Sequence, residues 1–398
     1  MSSVLPYDIV AQIIDNVGEN NDINLIKDLA LVSHSFHQIC TKHLFATIDL
    51  YDDIPMRRAS SKKGFVKLLK SRPDVVKYIR ELTYHVSHNN DDDHLLSPIL
   101  SNFLPTSRLN CLTITAVQQD WNTLDSSLSS ALLHLMHLPT INHIDISCIE
   151  NFPISSLTSC VNLHRLYLFD MDIPEVDGSS SPEIVVQSEM IPKILEFYNF
   201  ESTLVTTKLL HAKRQDGRPA FNFTDLRLLS VYTTSFEDER NIRYILQNAK
   251  LLEKLRLIIG HDPSSLGLHD ILSLSASTLK VFDLTISLYN LQEAGLCEGL
   301  EAMARHNMLE VLSIEFQVNG DDTEDNVGSI FQDVEKVLVE PGWSALRQVF
   351  FKVSFKCLGE SEEVRTRMSE VLPSLPDKYL SHLSKLESVA FNYSVHLH

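Results

Sequence analysis

The sequence predicts an α/β chain in which three short helices precede an irregular solenoid of parallel strands. Three observations predict it. Apolar residues recur at helical spacing through the first four dozen positions. A six-residue pattern, apolar-x-x-apolar-x-apolar, then recurs eleven times after residue 75. Finally, 398 residues exceed one ordinary core but suit an elongated one built by stacking repeats.

The first helix is read from Pro6, whose missing N–H costs nothing in a first turn. Asp8 follows, a negative charge at the positive end of the helix dipole. Ile9, Ile13 and Val17 form a stripe with Val10 and Ile14 beside it, and Gly18 is expected to end the helix. A second apolar stretch carries Ile23, Leu25, Ile26, Leu29, Ala30 and Val32. The third helix is expected to start from Ser33 as N-cap, with Phe36, Ile39, Cys40, Leu44 and Phe45 at helical spacing. Three such helices hold more apolar surface than they can bury among themselves. The excess must meet either the following repeats, as a cap, or a separate protein.

The elements Leu5-Pro6-x-Asp8-Ile9-Val10-x-x-Ile13-Ile14, Leu29-Ala30-Leu31-Val32-Ser33-x-x-Phe36-x-x-x-Cys40 and Leu44-Phe45 resemble an F-box, in particular the fungal type. Phe45 stands where many members carry Trp. The resemblance covers roughly residues 4 to 48 and implies a helical domain over residues 1–48 that docks on the Skp adaptor of a cullin-RING ubiquitin ligase. On it, Leu5, Pro6, Ile9, Ile13, Leu31 and Val32 supply the contact. Helix-in-groove recognition of this kind concentrates its energy in a few apolar anchors.

Residues 49–398 hold the repeats. The central apolar positions are expected at 82, 112, 144, 166, 195, 226, 255, 282, 312, 349 and 389. Each copy reads as a strand of period two, and the intervals leave room for helices, expected over 64–70, 124–138, 238–247, 291–305 and 328–339. This resembles the leucine-rich-repeat family and implies a protein-binding, substrate-holding solenoid. It departs from that family where an Asn or Cys commonly follows the strand: Val117, Ile149, Met171, Gly260, Ser287 and Gln317 stand there instead. An irregular solenoid is therefore expected. Residues 172–190, 319–326 and 87–94 read as polar, largely acidic connecting loops.

Residues between the buried positions should face the concave side of such a solenoid. In the middle copies these are His143, Asp145, Arg165, Tyr167, Glu196, Tyr198, Arg227, Lys254, Arg256 and Asp283. Arg227, Lys254 and Arg256 are expected close together, a basic patch suggestive of an acidic or phosphorylated segment, although polar residues on a solvated strand face account for them more simply. Toward the C-terminus the same positions become apolar: Val281, Val311, Phe350 and Ala390.

Composition excludes several classes. A formal charge of -18 opposes nonspecific nucleic-acid binding and anionic membrane surfaces. The apolar stretches are short, and the N-terminus lacks a basic region followed by an apolar core, so neither a membrane span nor a signal peptide is expected. The six cysteines form no C-x-x-C pair and read as reduced thiols of the cytoplasm or nucleus. Catalytic signatures such as G-x-S-x-G, H-E-x-x-H and phosphate-binding glycine loops are missing, so no enzyme and no cofactor is expected. His88 and His94 flank Asp91-Asp92-Asp93 without a second ligand cluster, and Asp170-Met171-Asp172 marks a strand end. Neither is read as a metal or catalytic site. The resulting expectation is substrate recognition for a Skp-cullin ubiquitin ligase. The alternative is a repeat scaffold outside the ubiquitin system, its helices serving as a cap.

Overall fold

A computed structural model describes residues 6–19, 22–51, 60–86, 93–101, 107–171, 185–186, 189–198, 204–233, 235–260, 267–287, 295–306, 308–319, 324–355 and 362–397. The chain divides into two compact units. The first is residues 1–182 with 186–190; the second is 183–185 with 191–398.

The first unit opens with helices α1 (Tyr7–Glu19), α2 (Ile23–Ala30) and α3 (His34–Leu44). Asp22 and Ser33 cap the second and third through hydrogen bonds from the Leu25 and Phe36 N–H groups, the latter as the sequence predicts. Ile14, Ile26, Ile39 and Cys40 form their buried core, with Val10, Val17, Leu29, Phe36 and Leu44 packed against it. Gly18 does not stop α1 but lies in its last turn. A Cβ there would sit 2.2 Å from His43 Nδ1, so the glycine lets α1 approach the α3 side chain.

Strands β1 (Thr47–Tyr51) and β2 (Ser60–Ser61) follow, then α4 (Lys62–Ser71), β3 (Glu81–His85), α5 (Asp93–Leu100), β4 (Cys111–Asp120), α6 (Ser126–Met136), β5 (His143–Glu150) and β6 (Arg165–Phe169). The six strands pair in parallel in the order β2-β1-β3-β4-β5-β6. Parallel neighbours require crossovers, which these helices supply. Leu82, Leu112, Ile144 and Leu166 stand in one register row, as the repeat predicts. Strand β1 was not legible as a repeat, yet its Ile48 pairs with Leu82 and is buried. Asp170 ends β6 at φ +48°. Lys62 is buried at the start of α4, its Nζ 4.6 Å from the centre of the Tyr84 ring.

After the two-residue β7 (Val185–Val186), the second unit contains β8 (Ile194–Tyr198), α7 (Leu204–Leu210), β9 (Lys213–Arg214), β10 (Leu228–Thr233), α8 (Phe236–Asn248), β11 (Lys254–Ile259), α9 (Leu268–Ser275), β12 (Val281–Ser287), α10 (Leu296–Ala304), β13 (Val311–Val318), α11 (Glu324–Val339), β14 (Gln348–Phe355), α12 (Glu362–Val371), α13 (Leu375–Tyr379) and β15 (Ala390–Leu397). Seven of its strands pair in parallel in the order β8-β10-β11-β12-β13-β14-β15. Both units are therefore α/β repeats with parallel strands, leucine-rich-repeat-like.

The strand starts of the second unit share one device. The Lys193 carbonyl accepts the N–H groups of Arg227 and Leu228; the Arg227 carbonyl accepts Glu253 and Lys254; the Glu253 carbonyl accepts Lys280 and Val281. Lys280 and Glu310 continue the series. Through β14 each repeat thus hangs its first two amides on one carbonyl of the previous repeat, and at β15 the Ala390 amide alone bonds to the Arg347 carbonyl.

This ladder corrects two repeat assignments. The buried residue in register with Leu195 and Leu255 is Leu229, not Leu226, which occupies the first apolar position of its copy. At the last copy, Val349 pairs with Phe391, two residues beyond Val389. The expected helices 64–70, 124–138, 238–247 and 328–339 correspond to α4, α6, α8 and α11, and 291–305 to α10 in its described part. Two expected loops are partly helical: Asp93 and His94 open α5, and Glu324 and Asp325 open α11, where the latter two acids favour the helix dipole. Residues 172–184 of the third loop lie outside the described residues, as does His88.

Candidate functional site

The residues singled out from sequence fall on two surfaces. The first is the three-helix head. Ile9 and Ile13 project from α1 at 44% and 50% exposure, while Ile14, one position on, is buried in the head's own core. Leu31 and Val32, in the turn after α2, are 85% and 64% exposed. Pro6 is exposed, and Leu5 lies outside the described residues. Ser33 explains the turn: its hydroxyl caps α3, so the chain leaves α2 early and presents two apolar residues outward. Tyr7 and Leu25 add to the exposed apolar surface of the head.

A cleft of 880 Å³ lies between the head and the first strands, lined among others by Asp15, Lys42, His43, Thr47, Phe65 and Glu81. Its acidic groups are answered internally. Asp15 contacts Lys42 at 2.7 Å and His43 at 2.8 Å. Burial opposes ionisation of Asp15, but the hydrogen bonds from Lys42 and His43 outweigh it and hold the carboxyl below its usual range. Glu81 accepts a hydrogen bond from the Thr47 hydroxyl. Among the described residues no three His, Cys, Asp or Glu side chains are gathered as metal ligands.

The second surface is the outward face of the strands. In the first unit, His143 stands beside Arg165 and Cys111, and Asp145 beside Tyr167 and Thr113. The Cys111 thiol lies 3.3 Å from His143 Nδ1. Burial, with Glu81 and Asp145 nearby, pushes that thiol up to about 11, and burial pushes His143 down, so the pair is a neutral thiol–imidazole contact. Tyr167 and Phe169 stack in parallel, 6.3 Å apart.

In the second unit Glu196, Ser230, Arg256 and Asp283 form one row across β8, β10, β11 and β12. Tyr198 shares the Glu196 side of β8 but is buried there, its hydroxyl hydrogen-bonded to the Ser230 hydroxyl of the same row. Arg227 is not on a strand. It precedes β10 in the carbonyl ladder, paired with Glu253 at 3.1 Å, and Lys280 reaches the same carboxylate at 3.4 Å. Lys254 is paired with Asp283 at 2.9 Å. The three cations therefore do not gather into a basic patch. Arg256 alone among them makes no ion pair among the described residues. Sequence reasoning missed these pairs because each partner comes from a neighbouring repeat, at a distance set by register and not by spacing. Farther along, Val281, Val311 and Phe350 occupy outward positions, with Phe350 among the exposed large apolar residues.

The fold and these surfaces define an α/β repeat protein with a helical head. No protein-family model and no curated protein matches the chain. Among solved structures it is similar to an internalin from Listeria monocytogenes, at 13% identity over 85% of this chain and 89% of that one, with a TM-score of 0.28. Among the described residues no helix is long and apolar enough to cross a membrane.

Proposed function

We propose that this chain is the substrate-recognition adaptor of a Skp-cullin-F-box type E3 ubiquitin ligase, with the helical head on the Skp adaptor and the outward strand faces on a target protein. The observation that carries this reading is the exposure of Ile9, Ile13, Leu31 and Val32 on a head whose core is already closed by Ile14, Ile26 and Ile39. These are positions of the F-box resemblance, and apolar side chains of this type are unfavourably hydrated in water, which burial in a partner groove relieves. The mechanism is proximity. One surface tethers the chain to the ligase, the other holds the target, and the local concentration of target lysines near the transferred ubiquitin rises. No side chain of this protein needs to form or break a covalent bond.

The test is capture of purified Skp adaptor by the full chain and by an Ile9→Asp, Leu31→Asp variant. Each anchor is expected to contribute about 2 kcal/mol, so the double variant should lose binding while keeping its thermal transition. Unchanged capture would overturn the reading.

A second reading is a protein-interaction scaffold without a ligase role, its helices serving as a cap. One observation favours it: the Ala46 carbonyl, two residues after α3, accepts the N–H groups of Arg80 and Glu81 and so begins the same ladder that links the repeats. Removing residues 1–44 separates the two. A docking head should leave a soluble remainder; aggregation of the remainder favours the cap.

A further inference from the structure

We propose that Arg256, Val281, Val311 and Phe350 form one binding strip across β11, β12, β13 and β14, and that its occupant is an extended segment of the target protein carrying one carboxylate side chain and, beside it, apolar side chains. This rests on the reading that the outward strand faces hold a target, and it is independent of the ligase role. Val281 and Val311 stand opposite each other in register. Arg256 lies one row along, diagonal to Val281, and Phe350 lies in that same row beyond Asp283 and Ser313. The strand neighbours Leu255, Leu257, Phe282, Leu312, Val349 and Phe351 are buried, which puts all four residues on the opposite, outward side.

The charges of this face select the occupant. Arg256 is exposed and makes no ion pair among the described residues. The carboxylate directly opposite it, Asp283, is taken by Lys254, which reaches diagonally from the Val281 row to Oδ2 at 2.9 Å. On the other side of Arg256 stands Ser230, whose hydroxyl is bonded to that of Tyr198. Farther along, Glu315 is held by Lys352 at 2.9 Å. With both ion pairs closed, the outward side of β11 to β14 carries one guanidinium in excess, and a guanidinium fork matches a carboxylate through two parallel hydrogen bonds. The chain as a whole carries -18, but at physiological salt that field is screened beyond about 8 Å, so a ligand on the strip meets the local charges. Asp283 and Glu315 also decide between anions: beside them a phosphate dianion meets more repulsion than a single carboxylate.

Strand spacing fixes the pattern of the occupant. From β11 to β14 is three spacings, about 14 Å, and four residues of extended chain rise about 13 Å. Side chains of an extended chain return to one side every second residue. A segment crossing the strands therefore sets its carboxylate on Arg256, the side chain two residues away over Val281 and Val311, and the side chain four residues away on Phe350. Phe350 is 36% exposed although β13 and β15 flank it on both sides, and the two valines are half-buried. An arginine and an aromatic at the two ends of an apolar floor are the residue types that dominate interface energies.

Selection of phage-displayed random peptides on the immobilised full chain tests this, with Arg256→Gln and Phe350→Ser as variants. Both side chains are exposed, so neither substitution should move the thermal transition. The enriched peptides should carry Asp or Glu with apolar residues two and four positions away, and each variant should bind them at least about tenfold more weakly than the parent. Phosphoserine in place of the acidic residue should bind no more tightly. The strip is overturned if no common pattern is enriched, or if either variant binds the enriched peptides as well as the parent does; a tighter phosphopeptide overturns the carboxylate as its ligand. The outcome is separable from the ligase role. Failed peptide selection with Skp capture intact removes this strip alone, whereas Skp capture indifferent to Ile9 and Leu31 removes the ligase reading and leaves the strip.

Discussion

Glu335 and His382 are joined twice: the Glu335 carboxylate accepts the His382 backbone N–H at 2.7 Å and meets its ring Nδ1 at 3.2 Å. The same carboxylate accepts the Leu383 N–H at 2.9 Å. Glu335 sits near the end of α11, and its nearly buried side chain acts as a remote cap for the short helical turn Leu383–Lys385. Replacing Glu335 by Ala strands these donors and should cost about 2 kcal/mol of stability; Glu335→Gln keeps an acceptor oxygen and should cost less. Denaturant titration of the two variants distinguishes this capping role from general packing, which would affect both alike.

The Gly18–His43 approach makes a second prediction. Gly18→Ala places a methyl group inside the His43 ring position and must displace the ring from Asp15. Overpacking of this kind typically costs about 1–3 kcal/mol. A lowered midpoint for the helical head, followed by the His43 ring resonances, checks it; a variant as stable as the parent would show that the helices separate freely.

The head should respond unequally to truncation of its isoleucines. Ile26→Ala empties a buried site and should cost about 2–5 kcal/mol, whereas Ile9→Ala, at an exposed site, should stay within about 0.5 kcal/mol. Equal costs measured by thermal unfolding would mean that Ile9 is covered in solution.

Acid sensitivity should track Glu315. Burial raises its carboxyl, but hydrogen bonds from Ser354 and Lys352 outweigh burial and hold it below the ordinary value. A depressed native value stabilises the fold above the unfolded value of about 4.3 and is lost as pH falls through the native one. The Lys352→Met variant should therefore be less stable near neutrality and lose less on acidification below about pH 4 than the parent. Parallel pH–stability curves for the two would remove Glu315 from the account.

Thiol chemistry offers a readout of burial inside the repeats. Burial pushes Cys160 up to about 12 and Cys297 up to about 11, the latter with Asp333 and Glu298 adding to the effect. At pH 8 both should be alkylated at least about a hundredfold more slowly in the native chain than in denaturant, read peptide by peptide in mass spectra. Fast native labelling of Cys160 would indicate that its repeat opens.

Much of this architecture is written in periodicity. The three helices, their Ser33 cap and nine of the eleven central repeat positions follow from residues that alternate or recur locally, because burial of one face imposes a period of two or of 3.6 on the chain. What the sequence could not decide involves partners far apart along it. Leu226 and Leu229 both satisfy the apolar pattern, and only pairing with Leu195 and Leu255 selects Leu229. Arg227, Lys254 and Arg256 look alike as cations, yet Glu253 and Asp283 on adjacent repeats neutralise the first two and leave the third. Likewise, Ile13 and Ile14 are adjacent and chemically identical, and only the packing of α2 and α3 buries one and leaves the other to solvent. Local pattern determined which elements form; register and packing across the chain, where loop closure brings distant residues together, determined which side chains are paired, covered or free.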